Sequence, residues 1–118
     1  MHELSIVTNV LETATRAAKS MGASKLTAVN LNVGIYKQVV DDALQFSWQL
    51  MTEEDDFAKD AKLNVEYIHP ESICPECGKT FSHDMFHRKC PECGCEWTTL
   101  AKGSELEISS IEVEEGES

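Results

Sequence analysis

The sequence lacks any long hydrophobic run. No apolar stretch in its 118 residues approaches the roughly 20 residues that a membrane-spanning helix needs, so membrane insertion is not expected. The first five residues, Met-His-Glu-Leu-Ser, have neither a basic segment nor a continuous apolar segment, and they do not form a secretory signal. The sequence therefore predicts a cytoplasmic protein.

Positive charge is also scarce. Ten Lys and Arg residues stand against 21 Asp and Glu residues, which gives a formal net charge of -11. No segment of the chain is basic, and a chain of this charge repels the phosphate backbone of nucleic acids. We therefore expect no nucleic-acid partner.

The familiar catalytic motifs are missing as well. The sequence contains no complete P-loop and no Gly-x-Ser-x-Gly elbow. Its one rich group of metal-ligating residues is a set of cysteines that would close around their ion and leave no position for substrate or water. We expect a protein that is not an enzyme and that works by binding and release.

The apolar spacing predicts two helices. The first begins near the N-terminus and ends at Gly22, which can adopt a left-handed cap. The second begins at Asp41 or Asp42, either of which can accept hydrogen bonds from the free backbone N–H groups of the first turn. Its apolar residues cover a wide face, so we expect this helix to be largely buried. Those residues are Ala43, Leu44, Phe46, Trp48, Leu50 and Met51.

Alternating apolar residues predict three strands, near 26–33, 63–67 and 105–113. In the third strand the alternation changes phase across the pair Ser109-Ser110, where a β-bulge would restore the register. The resulting order is αβαββ.

This order predicts an α/β fold of the α+β type, built as a two-layer domain. A small zinc-ribbon-like module is inserted before the last strand. The predicted domains are an α/β domain at 1–69 plus 99–118 and a small inserted module at 70–98.

The cysteines carry the strongest chemical signal. Four of the five form two copies of a Cys-Pro-Glu-Cys-Gly knuckle. Two residues between the cysteines let a tight turn present both sulfurs to one tetrahedral ion, and the following glycine can take the positive φ that the turn requires. We predict structural zinc on Cys74, Cys77, Cys90 and Cys93. The spacing alone also accommodates iron, as in rubredoxin-type electron carriers.

Three more residues with metal-binding side chains lie near the knuckles. Cys95 is left over, and because both knuckles are already complete we expect it to be a bystander. His83 and His87 lie four residues apart on the intervening loop without a further ligand nearby, so we interpret both as surface residues.

The N-terminal residues form a second candidate metal site. A bulky second residue such as His2 normally prevents removal of the initiator methionine, so Met1 is the expected terminus. The α-amine, the amide nitrogen of His2 and its imidazole could then close adjacent chelate rings, a planar donor set that suits nickel(II) or copper(II) better than zinc. Taken alone, however, an N-terminal histidine is more often an exposed residue than a ligand.

The whole chain resembles the HypA/HybF family of nickel metallochaperones that mature nickel-iron hydrogenases. The resemblance rests on the Met-His-Glu-Leu-Ser start, on the segment DALQFSW at 42–48, and on the paired knuckles followed by GSELEI at 103–108. The chain departs from the family at 35–40, where members often have a Ser-Gly-Val-like turn, and at Cys95.

The resemblance implies a nickel(II) cargo bound at Met1, His2 and Glu3, with His2 as the key side chain, besides structural zinc(II). It implies two partners, a nickel-handling GTPase and the hydrogenase large subunit, and it leaves a homodimer open. The alternatives are a rubredoxin-like electron carrier, which would hold redox-active iron, and a zinc-ribbon interaction module, which would hold zinc alone.

Overall fold

The computed structural model describes residues 2–116 of the chain. These residues form helices α1 (Glu3–Ser20) and α2 (Asp41–Thr52), with a short 3₁₀ helix at Ile35–Lys37 between them. The strands are β1 (Ala23–Gly34), β2 (Lys62–Ile68), β3 (Glu71–Ile73), β4 (Thr80–Ser82), β5 (Thr99–Lys102) and β6 (Leu106–Glu115). The α+β class is confirmed, and so is the order αβαββ once the inserted strands β3 to β5 are set apart.

Helix α1 buries one stripe of apolar side chains. The buried residues are Ile6, Val7, Val10, Leu11, Ala14 and Ala18. The helix ends as predicted, because Gly22 has a φ of +78° and its N–H donates to the carbonyl of Lys19 over 3.0 Å. Leu4 and Met21 are exposed at the two ends of the helix.

The larger sheet has the strand order β2-β1-β6. Its central strand β1 contributes several fully buried side chains, as expected for a strand with neighbours on both sides. The backbone carbonyl of Asn30 on β1 accepts a hydrogen bond from the hydroxyl of Ser109. The side-chain amide of Asn30 donates to the hydroxyl of Ser110. The β-bulge at this serine pair stays a prediction.

Helix α2 differs from its sequence prediction in two ways. Its N-cap is Val40, so Asp41 and Asp42 lie inside the first turn, where their charge still favours the positive end of the helix. The expectation that α2 is largely buried was also wrong, since the residues it buries are Leu44, Trp48 and Thr52. They lie four residues apart, and this spacing covers a single stripe.

The chain separates into two compact units. The first comprises Met1–Leu31, Val39–Glu66 and Glu107–Ser118, and the second comprises Asn32–Gln38 and Tyr67–Leu106. The second unit contains the smaller sheet, of order β4-β3-β5, in which β3 pairs antiparallel with both neighbours. In the described part of the chain, neither helix is long and apolar enough to cross a membrane. The functional division at 70–98 stays a prediction.

Candidate metal centre

The two cysteine knuckles have the same backbone geometry. In the first, the N–H of Gly78 donates to the carbonyl of Cys74 over 2.8 Å, and in the second the N–H of Gly94 donates to the carbonyl of Cys90 over 3.0 Å. Both glycines have a φ of +77°, the left-handed conformation that the sequence predicted for them. The sequence repeat is therefore a structural repeat.

A second pair of backbone hydrogen bonds closes each knuckle. The N–H of Cys74 donates to the carbonyl of Lys79 over 2.8 Å, and the N–H of Cys90 donates to that of Cys95 over 2.9 Å. The first knuckle connects β3 to β4, so the pairing of these two strands also holds the knuckle turn in place. A salt bridge of 3.4 Å between Lys79 and Glu92 links the first knuckle to the second.

The folded chain brings all four knuckle sulfurs together. Their Sγ atoms lie within 4.8 Å of one another. Two pairs cross between the knuckles, Cys74 with Cys93 at 3.5 Å and Cys77 with Cys90 at 3.6 Å. A tetrahedral zinc with Zn–S bonds of about 2.3 Å requires S···S distances of about 3.8 Å. The donor set and its spacing therefore fit a zinc ion.

The pKa values of the four thiols diverge. The backbone N–H of Cys77 lowers the pKa of Cys74 to about 6, and the N–H of Cys93 in the same way lowers the pKa of Cys90. A backbone hydrogen bond from Cys95 lowers the pKa of Cys93, but the neighbouring sulfurs of the other three cysteines, together with partial desolvation, outweigh it and raise that pKa to about 12. Four adjacent sulfurs cannot all carry negative charge without a cation, and a divalent ion would supply the missing charge.

The cluster has a buried side and an exposed side. Cys74 and Cys90 are buried and pack with Phe81, while Cys77 and Cys93 are exposed. Cys95 is half-buried against the same apolar group and stands outside the set of four converging sulfurs. Its backbone has a function that the sequence did not reveal, since its carbonyl closes the second knuckle.

The two loop histidines have separate partners. Nε2 of His83 lies 2.6 Å from the hydroxyl of the buried Ser72, and its Nδ1 lies 2.6 Å from the carbonyl of Asp84. A neutral ring with its proton on Nδ1 satisfies both contacts, so His83 ties the loop to β3. His87 is largely exposed, and its Nδ1 lies 2.7 Å from the Asp84 carboxylate. The surface interpretation thus suits His87 better than the half-buried His83.

At the other candidate site, Met1 lies outside the described residues. His2 is exposed and extended at the N-cap of α1, where its carbonyl accepts the N–H of Ile6 and its side chain makes no capping hydrogen bond. The carboxylate of Glu3 accepts the backbone N–H of Val40 over 3.2 Å, and this bond is the main cause of the lowered pKa of Glu3. Within residues 2–116, no metal-binding group of three or more side chains includes His2 or Glu3.

Comparison with known proteins gives matches along nearly the whole chain. The sequence model of a family described as "Hydrogenase/urease nickel incorporation, metallochaperone, hypA" matches residues 1–113. The hydrogenase maturation factor HypA of Rhizobium leguminosarum is 34% identical over 113 residues, which cover 96% of this chain and 99% of that protein. Its namesake in Geobacter metallireducens is 34% identical over 114 residues, which cover 97% and 100%.

A solved structure has the same fold. The solution structure of the Ni metallochaperone HypA from Helicobacter pylori matches with a TM-score of 0.70 at 23% identity, covering 98% of this chain and 99% of that one.

Proposed function

Because the chain belongs to the HypA family of hydrogenase maturation factors, we propose that it is a cytoplasmic nickel metallochaperone that binds nickel(II) at its N-terminus. With a partner GTPase it delivers the ion to the large subunit of a nickel-iron hydrogenase. The observation that carries this proposal is the family match over residues 1–113, which takes in both the N-terminal His2 and the two knuckles.

The local structure of His2 supports a nickel chelate. As the N-cap of α1, His2 keeps its own N–H outside the hydrogen bonding of the helix, because the first N–H groups of a helix have no intrahelical acceptor. Nickel can therefore displace the amide proton without breaking a helical hydrogen bond. The exposed imidazole and the terminal amine would complete three nitrogen donors, which suit square-planar nickel(II).

The structure favours an anchoring role for Glu3 over direct ligation. Its Oε2 accepts the N–H of Val40, so the side chain fastens the start of α1 to the start of α2. A fixed helix start holds the adjacent His2 in an extended conformation, with a φ of -80° and a ψ of 121°. Direct nickel ligation by Glu3 stays a prediction.

Structural zinc is the second part of the proposal. When bound to Cys74, Cys77, Cys90 and Cys93, zinc supplies a cross-link between two knuckles that are separate in sequence, and the binding free energy then stabilises the fold of the second unit. A closed four-thiolate site leaves no open coordination position, so we assign it no part in catalysis.

The proposal is tested by nickel titration of the untagged, zinc-loaded protein, with metal content measured by atomic spectroscopy. We expect the parent chain to hold about one nickel in addition to zinc, as a nitrogen-chelated cargo. His2→Ala should abolish the nickel binding and leave the zinc content unchanged. His87→Ala is the matched control, because His87 is also an exposed histidine and should bind nickel like the parent.

Two outcomes would contradict the proposal. Nickel binding by His2→Ala that equals the parent's would remove the N-terminal site. A purified protein that holds redox-active iron on the cysteines, and no nickel, would favour the rubredoxin-like electron carrier instead.

A further inference from the structure

Helix α2 presents a second apolar face to solvent, opposite the buried stripe. Phe46 is 55% exposed and Leu50 is 53% exposed, whereas Leu44 is completely buried. Phe46 and Leu50 are four residues apart and lie one above the other on the same side of the helix.

This face continues toward the N-terminus of the chain. Val40, immediately before α2, is 60% exposed, and its backbone N–H is held by the carboxylate of Glu3. Leu4, the next residue after Glu3, is 51% exposed. We call the four exposed apolar residues the α2 surface. They are Leu4, Val40, Phe46 and Leu50.

Carboxylates stand at both ends of the exposed row. Asp42 lies one helical turn before Phe46 on the same side of α2, and Leu50 lies one turn after Phe46. Glu54 follows the end of the helix at Thr52 and supplies a carboxylate there. Asp42 and Glu54 are exposed. The sequence from 38 to 58 contains no Lys or Arg, so this part of the chain brings no positive charge of its own to the row.

We propose that the α2 surface docks an amphipathic helix of a partner protein, one whose apolar stripe is flanked by Lys or Arg. The apolar side chains need an apolar counterpart, and the acids at both ends attract positive charge and repel negative charge. A second copy of this chain would bring the same carboxylates to the same face and is disfavoured by that repulsion. Because the surface is small, the complex is transient.

This surface lies beside the N-terminal segment that carries His2. A partner docked there is close to the proposed nickel ligand, so the surface suits the protein that supplies or receives the metal. This link to nickel rests on the proposed function. The docking itself needs no metal, so a failure of docking and a failure of nickel binding can be distinguished.

The test uses the full-length zinc-loaded protein without nickel, labelled with ¹⁵N, and a synthetic amphipathic peptide of leucine and lysine as the probe. We expect the peptide to shift the backbone amide signals of residues 40–54 and to bind more weakly as salt rises. Phe46→Asp and Leu50→Asp should each weaken binding about tenfold or more. Met21→Asp is the matched control, because Met21 is an exposed apolar residue beyond the other end of α1, and it should bind like the parent.

Circular dichroism checks that each variant is folded, and Phe46→Ser replaces Phe46→Asp if the charge unfolds the chain. The proposal is overturned if the peptide shifts map to another surface or if Phe46→Asp binds like the parent. If a peptide with glutamate in place of lysine binds as tightly as the lysine peptide, the surface does not select a positively charged partner. If the parent chain is a dimer and Phe46→Asp is a monomer, the α2 surface binds a second copy of this chain, and the proposed partner is wrong.

Discussion

Glu3 joins two helix starts that are far apart in the sequence. Its carboxylate accepts the N–H of Val40, 37 residues away, and so satisfies a backbone donor at the start of α2 that has no acceptor within the helix. The family resemblance implied that Glu3 lies at the nickel site, and the sequence predicted the cap of α2 at Asp41 or Asp42. In the structure Glu3 instead holds the N–H of Val40, the N-cap residue of α2.

The lowered pKa of Glu3 predicts a pH dependence of this contact. Because the folded-state pKa lies below the ordinary value of 4.5, the stabilisation is fully present above pH 4.5 and is lost as the pH falls through the folded-state pKa. We expect the hydrogen-exchange protection of the Val40 amide, measured by NMR, to decrease as the pH is lowered from 4.5 through the folded-state pKa of Glu3. In Glu3→Gln it should already be weak at pH 6 and should not change with acidification.

The control for this prediction is Glu12→Gln. Glu12 is an exposed acid on α1 that pairs with Arg16, and its loss should leave the Val40 amide as protected as in the parent. Equal protection in the parent and in Glu3→Gln at pH 6 would show that the hydrogen bond does not stabilise the start of α2.

At the scale of the element, α2 shows that an apolar sequence does not imply a buried helix. Trp48 lies on its buried stripe and donates its indole N–H to the carbonyl of Ala61, and Gln45 donates to the carbonyl of Leu63. These two hydrogen bonds fix which side of α2 faces β2 and the segment before β2. Phe46 and Leu50 are left on the other side, so burial in this chain's own core does not explain why these two positions are apolar.

Two leucines of α2 provide a matched test of this division. Leu44→Ala removes a completely buried side chain and should destabilise the fold by about 2–5 kcal/mol. Leu50→Ala removes the same atoms from an exposed position and should change stability by less than about 0.5 kcal/mol. Urea denaturation measures both values. Similar losses in the two variants would mean that Leu50 is covered in solution.

At the scale of the whole molecule, the metal-binding cysteines and the two helices belong to different compact units. Strands β3, β4 and β5 of the second unit are short, with three or four residues each, so we expect the proposed zinc cross-link to supply much of its stability. The first unit has its own core, built from α1, α2 and the long strand β1.

We therefore predict that zinc removal loosens the second unit selectively. Cys74→Ala should lose zinc and lose amide protection in β3, β4 and β5, while the buried amides of α1 stay protected in hydrogen exchange. Cys95→Ala is the matched control, because Cys95 stands outside the four converging sulfurs and its variant should keep its zinc. Full zinc content in Cys74→Ala would contradict the ligand assignment, and unfolding of α1 would contradict the independence of the first unit.

The features that could be predicted from the sequence are those that neighbouring residues encode. A knuckle needs two cysteines and a glycine within five positions, so Cys74 to Gly78 and Cys90 to Gly94 show their geometry in the sequence itself. Helix α1 was predictable for a similar reason, since its buried stripe follows the period of a single helix and Gly22 supplies a local end.

The remaining features depend on contacts between residues that are distant in sequence. The Glu3 carboxylate at Val40, the His83 ring on Ser72 and the indole of Trp48 on Ala61 each required the chain to fold before the partner could be known. The same holds for the strand order β2-β1-β6 and for the exposed side of α2. Periodicity shows how many faces of a helix are apolar, but which face is covered depends on the neighbouring elements, and these come together through packing.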